Sequence, residues 1–308
     1  MSVQFTHQVT SPGPAQGMTF TGRRRIGETA GTGDLPLIIA VHGGGFTSAY
    51  FDVPGYSLLD RAAALEVPII AVDRPGYGGS SPAAAGEPVL LANAAALDHL
   101  IAELWAANGA GAAGVFVVGH SIGAAISLAV AARKPEWPLL GLALSGCLLR
   151  EPASFADRWA ALPGATLRSP DEDKATRMFG PKWTYRADMP EASYFANVAV
   201  LKAELVEISS AWHDLFRTLA PEISVPVHLR QGEFEKLWIT DDAQVAEFAA
   251  ALTASPWIDA EVFRSAGHAI DYHRVGAAFQ LQQLSFALTC AARRFAERGA
   301  ATTEKEVR

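Results

Sequence analysis

Basic charge is in deficit along this chain: 25 Lys and Arg stand against 32 Asp and Glu, a formal charge of −7. A nucleic-acid partner needs a basic surplus or a dense basic stripe, so none is expected. The one basic cluster, Arg23-Arg24-Arg25, falls in an alternating stretch and reads as the solvated face of an edge strand. Cysteine is scarce. Cys147 and Cys290 both sit in apolar contexts, which excludes a disulfide framework and points to buried thiols. No apolar run reaches the roughly 20 residues that a membrane span requires. The leading Met-Ser-Val-Gln-Phe-Thr-His has neither the basic nor the apolar region of a signal peptide. A cytoplasmic protein without a membrane partner is therefore expected. Metal-ligand spacings, internal repeats and low-complexity segments are missing too, so neither a metal nor an organic cofactor is expected.

What the chain does have is apolar material: 50% of its 308 residues are hydrophobic, enough for one large core with or without an insertion. Short apolar runs alternate with longer amphipathic ones. Leu37 to Val41, Val67 to Val72, Val115 to Val118 and Leu139 to Leu144 read as buried strands. Leu58 to Leu65, Val89 to Ala107 and Ile122 to Arg133 read as the helices between them. That alternation predicts an α/β fold with a mostly parallel, doubly wound sheet. Two earlier segments, about Val3–Val9 and Met18–Ile26, look like an antiparallel lead-in. From about Arg150 to Pro221 the strand signal stops, and Pro- and Gly-punctuated helical pieces take over. Strand signal returns at Val225, followed by a helix from about Asp241 to Leu252 and a strand from about Ile258 to Phe263. A final helix is expected over about Arg274 to Glu297, then a charged tail. The division that follows is a core of residues 1–149 and 222–308, with a helical cap, 150–221, inserted after the sixth strand.

Gly119-His120-Ser121-Ile122-Gly123 sits between a strand and a helix. A very tight turn there pushes a serine out above the sheet, and its flanking residues must be small to clear the neighbouring strand and helix. At a helix N-terminus, backbone N–H groups also face a developing anion. Ser121 is thus the candidate nucleophile. Its base must lie within hydrogen-bond reach. His268 follows the last strand at the same sheet edge and is the candidate. His273 is the rival, expected on the surface of the final helix. His99 and His213 fall in helical segments, and His120 reads as packing. The orienting acid should follow the strand that ends at Gly232. Glu235, three residues past that glycine, is preferred to Glu233, one past it. Asp241 and Asp242 are further candidates, although Asp241 reads better as a helix N-cap. No carboxylate directly follows the Leu139–Leu144 strand. For the oxyanion, the N–H of Ile122 supplies one donor. The loop His42-Gly43-Gly44-Gly45-Phe46 supplies the other, Gly44 before Gly45.

Taken together, the His42 glycine loop, Asp73-Arg-Pro-Gly-Tyr-Gly-Gly-Ser80, Gly-His-Ser121-Ile-Gly, the Gly232-x-x-Glu235 turn and Gly267-His268 resemble the α/β-hydrolase superfamily, in its cap-bearing serine esterase and lactonase branch. The resemblance covers about residues 20–150 and 222–296. It implies a triad of Ser121, Glu235 and His268, with a Glu where the family more often has Asp. It also implies that the Asp73–Ser80 loop is structural. A serine nucleophile separates the chain from the haloalkane dehalogenases and epoxide hydrolases of similar fold.

The expected reaction is hydrolysis of an uncharged, moderately hydrophobic carboxylic ester or lactone, a small-molecule substrate, through an acyl-enzyme. The substrate preference rests on aromatics of the cap, among them Phe155, Trp159, Phe179, Trp183, Trp212 and Phe216. They are expected to build the cap's own small core and in part to line a cavity above Ser121. Carbon–carbon bond hydrolysis, an aminopeptidase or amidase activity, and a non-catalytic ligand-binding role are the alternatives. A homodimer is compatible with the sequence but not derivable from it.

Overall fold

The computed structural model describes residues 2–27, 34–84, 86–152 and 155–306, with side chains described as far as residue 296. Its centre is an eight-stranded sheet. The strands are β1 (Val3–Gln8), β2 (Thr19–Arg25), β3 (Pro36–Val41), β4 (Ile69–Val72), β5 (Gly114–His120), β6 (Leu139–Ser145), β9 (Val227–Gly232) and β10 (Ile258–Phe263). Two short strands, β7 (Thr166–Leu167) and β8 (Val200–Leu201), pair with each other outside it. The sheet order is β1-β2-β4-β3-β5-β6-β9-β10. β1 pairs with β2, and β2 with β4, in antiparallel fashion; every other neighbour is parallel.

Parallel strands need crossover helices, and these cover both faces. They are α1 (Leu58–Ala64), α2 (Val89–Asn108), α3 (Ile122–Ala132), α8 (Asp242–Ala251) and α9 (Gly276–Glu306). Between β6 and β9 lie α4 (Phe155–Ala161), α5 (Asp171–Met178), α6 (Lys202–Ser210) and α7 (Trp212–Leu219). The side-chain period of two divides the sheet between two cores. Leu37, Ile39 and Val41 face the α2–α3 side, while Ile38 and Ala40 face the α1–α9 side. This is why the central strands read as unbroken apolar runs.

Several expectations need correction. β2 is no edge strand, since β1 and β4 flank it; Arg23 and Arg25 reach Asp52 and Asp60 at 3.3 and 3.0 Å. The β7–β8 pair has two residues per strand, too few to show an alternation. The last helix continues to Glu306, through the stretch expected to be a charged tail. Among the described residues, the aromatics after β6 build no separate core either. Trp212 and Phe216 join the α2–α3 cluster, where Phe216 stacks on Phe248 at 4.5 Å, and Met178 and Phe179 join the other. α2 has the length and apolarity of a membrane span, but half of that window is buried inside the protein, as in any core helix.

Candidate active site

The carboxyl ends of the parallel strands form one rim, and the chemistry-bearing residues collect there. Ser121 links β5 to α3 with φ 56° and ψ −126°, a left-handed backbone that costs a non-glycine residue about 1–3 kcal/mol. The turn is so tight that no side chain fits beside it. A Cβ on Gly123 would stand 2.2 Å from the Val41 carbonyl oxygen, and one on Gly119 would stand 2.8 Å from Ala124 Cα. The strained turn is held at its base by the Ser121 N–H, which donates to the Ser145 carbonyl at 2.7 Å.

β9 ends at Gly232, where a Cβ would meet the Gly267 carbonyl oxygen at 2.2 Å. That close approach brings the turn after β9 against the loop after β10. Across it, His268 Nδ1 bonds Glu235 Oε2 at 2.7 Å, with side-chain exposures of 1% and 0%. Glu235 is fully engaged: Oε1 accepts the N–H groups of Lys236 and Leu237, both at 2.8 Å, and Oε2 also accepts Gln231 Nε2 at 3.0 Å. A carboxylate saturated in this way holds Nδ1–H on the imidazole and leaves Nε2 free to accept a proton. Glu233 serves the loop instead, accepting the Ser265 N–H at 2.8 Å. Asp241 caps α8 through the Gln244 N–H at 2.7 Å.

Ser121, Ile122, His268 and Gly44 line one cavity of about 400 Å³, the size of a small-molecule site. Ile122 is the first residue of α3, so its N–H has no intrahelical acceptor. Gly44 lies against it, close enough that a Cβ would stand 2.8 Å from Ile122 Cδ1. The Gly45 carbonyl is turned away and held by the Val198 N–H at 3.0 Å and by Lys174 Nζ at 2.5 Å.

The neighbouring histidines are structural. His42 Nε2 accepts the Arg74 N–H at 3.0 Å, and Asp73 accepts the Ser48 N–H and the Thr21 hydroxyl, both at 2.6 Å. His120 stacks on Tyr50 at 4.5 Å, and its ring centroid lies 4.9 Å from that of His268. Burial holds its pKa well below the ordinary histidine value. His273, expected on a helix surface, is buried. Its Nε2 accepts the N–H of Gly180 at 3.1 Å and of Gly267 at 3.0 Å, while its Nδ1 bonds the Ala269 carbonyl at 2.9 Å. Two N–H groups aimed at one ring nitrogen require the neutral ring, and burial lowers the pKa to about 4.

Sequence reasoning missed four charged side chains in the cavity wall. Glu151 comes from the loop after β6, beyond the reach of a search for acids directly following a strand. Burial pushes its carboxyl up to about 7. Arg168, Lys174 and Arg177 come from the segment between β6 and β9, alongside Phe155 and Trp159. In contrast, Trp183 and Phe195 are 61% and 55% exposed. In the sequence, residues 168–177 hold three basic and three acidic side chains, a mixed-charge run that reads as a solvated helix face.

The segment between β6 and β9 is tied down by a fully buried ion pair. Glu204 of α6 bonds Arg74 through both oxygens, at 2.5 and 3.0 Å, and accepts the Tyr77 hydroxyl at 2.6 Å.

Comparison with known proteins agrees with this architecture. The profile of the alpha/beta hydrolase family matches residues 38–279. A search of curated proteins found no match. Among solved structures, E-2-(acetamidomethylene)succinate hydrolase superposes with a TM-score of 0.65 at 18% identity, over 94% of this chain and 100% of that one. A thermophilic esterase from Thermogutta terrifontis gives 0.57 at 21% identity, over 92% and 99%. The Paleococcus ferrophilus monoacylglycerol lipase gives 0.59 at 18% identity, over 84% and 96%. At such identities the likeness is one of fold. The profile match spans most of the sequence, and the chain belongs to the alpha/beta hydrolase family.

Proposed function

We propose that this alpha/beta hydrolase is a serine hydrolase that cleaves a carboxylic ester or lactone through an acyl-enzyme on Ser121. The observation that carries the reading is the buried 2.7 Å bond from His268 Nδ1 to Glu235, in a cavity that Ser121 and His268 both line. Ser121 Oγ attacks the acyl carbon while His268 Nε2 takes its proton. The carbonyl electron pair moves onto oxygen, where the N–H groups of Gly44 and Ile122 receive it. Collapse breaks the acyl–oxygen bond, and His268 returns the proton to the leaving alkoxide. Water then attacks the acyl-enzyme by the same route and releases the acid. Residues 150–221 act as a cap, and the aromatic side chains Phe155 and Trp159 favour an apolar, uncharged group next to the scissile bond. The reading carries a small-molecule substrate, a cytoplasmic location, and neither a nucleic-acid nor a membrane partner.

The test is hydrolysis of p-nitrophenyl esters of graded acyl length and a panel of lactones, by wild type and Ser121→Ala. Turnover by the wild type and a loss of at least about 10³-fold in the variant are expected. Equal rates in both proteins would remove Ser121 from the chemistry. A wild type inert on every ester and lactone would move carbon–carbon hydrolysis to the front.

A further inference from the structure

The wall that the segment between β6 and β9 contributes to the cavity carries three basic side chains, and they are not equivalent. Arg168 is occupied: it donates to the Asn197 carbonyl at 2.6 Å and to Asp171 Oδ1 at 3.1 Å. Lys174 is occupied as well, donating to the Gly45 carbonyl at 2.5 Å and to Asn197 Oδ1 at 2.7 Å, with its Nζ 3.3 Å from the centroid of the Phe46 ring. Arg177 is different. Its single recorded bond is from one terminal nitrogen to Ser169 Oγ at 2.8 Å, and among the described residues no carboxylate lies within ion-pair distance. A guanidinium offers five N–H donors in a planar fork.

The surroundings of Arg177 make this costly. The side chain is half-buried at the end of α5, and burial, followed by the charge of Arg158, lowers its pKa, with Asp173 only partly offsetting both. A partly desolvated cation beside like charges gains free energy when an anion enters its fork. One unpaired guanidinium matches one negative charge. The cavity has about 400 Å³, much of it walled by Phe155, Trp159, Leu205 and Ile208, so it has room for a short apolar chain besides.

We infer that the substrate is a half-ester or lactone acid: a carboxylic ester or lactone with a free carboxylate on a short apolar chain, which Arg177 receives while the ester group lies at Ser121. This rests on the serine-hydrolase reading above for its reacting end, and it departs from the wholly uncharged substrate expected from the aromatics alone by adding one carboxylate remote from the scissile bond. Arg177 is a binding residue here.

The test is equilibrium binding to the Ser121→Ala protein, which reads the anion site without turnover. The probes are monomethyl adipate and dimethyl adipate, of one length and differing in one charge. Calorimetry is expected to give the half-ester at least tenfold tighter affinity than the diester, falling as salt is raised. Adding Arg177→Gln is expected to bring the two affinities within about twofold, and Arg177→Lys to retain part of the preference. Equal affinities, no measurable affinity for the half-ester, or a preference that survives Arg177→Gln overturns the inference. The Ser121→Ala protein alone decides the first two outcomes, whatever the folding of the Arg177 variants. Wild-type turnover of the same two probes tests the serine reading separately. A protein that binds the half-ester selectively but cleaves neither probe leaves Arg177 in place and sinks the ester chemistry.

Discussion

The rim of the sheet and the segment between β6 and β9 are held in place by different means. On the rim, Glu235 is fixed by bonds close in sequence, from the N–H groups of Lys236 and Leu237 and the Gln231 amide, and Ser121 sits between its own glycines; His268 leans on Glu235, and the Ser121 N–H on Ser145, from farther along the chain. In the segment between β6 and β9 the main ties reach far along the chain. Glu204 grips Arg74, Lys174 grips the Gly45 carbonyl, the Trp212 indole donates to the Leu148 carbonyl at 2.8 Å, and His273 accepts the Gly180 N–H. Ser121 and Glu235 keep their places largely through the local backbone, whereas the cavity wall from the segment between β6 and β9 keeps its place through a few long-range polar contacts. Loss of one such contact is a stability event before it is a catalytic one.

The sharpest way to break this comparison is Glu204→Gln. Arg74 would be left as a buried charge without its carboxylate, a situation that costs about 3–5 kcal/mol. Chemical denaturation is expected to show that loss, and a change below about 1 kcal/mol would mean that the Arg74–Glu204 pair is not what holds the segment.

Glu151 gives a smaller, pH-dependent effect. Burial raises its carboxyl from the ordinary 4.5 to about 7, so the folded state favours the protonated form. The stability this contributes is fully present below pH 4.5 and is lost as pH rises through 7. Glu151→Gln, which cannot ionise, is therefore expected to match wild type at low pH and to gain on it between about pH 4.5 and 7, by at most about 3 kcal/mol. Melting curves across that range check it; a constant gap contradicts it.

The same contrast explains what could be read in the sequence. The parallel sheet was legible because strands buried on both faces leave unbroken apolar runs, as in Leu37 to Val41. Ser121 stood out because its turn admits only glycine at positions 119 and 123, a demand written in adjacent residues. The offset of Glu235 from Gly232 is of the same local kind, and Glu235 is the carboxylate found on His268. Glu151, Arg177 and the burial of His273 left no such mark. Their surroundings are made by partners far away in the chain, and an isolated Arg or His has the same local signature on a surface as inside a cavity. The Arg74–Glu204 pair was hidden for the same reason, although Arg74 lies in a loop whose sequence signature was plain.

The most direct test of the central claim is covalent labelling with a fluorophosphonate, read by mass spectrometry of the digested protein. The account predicts one adduct per chain on the peptide containing Ser121, none in Ser121→Ala, and labelling slowed by about 10²-fold or more in His268→Ala. An unlabelled wild type, or an adduct on another residue, would contradict it.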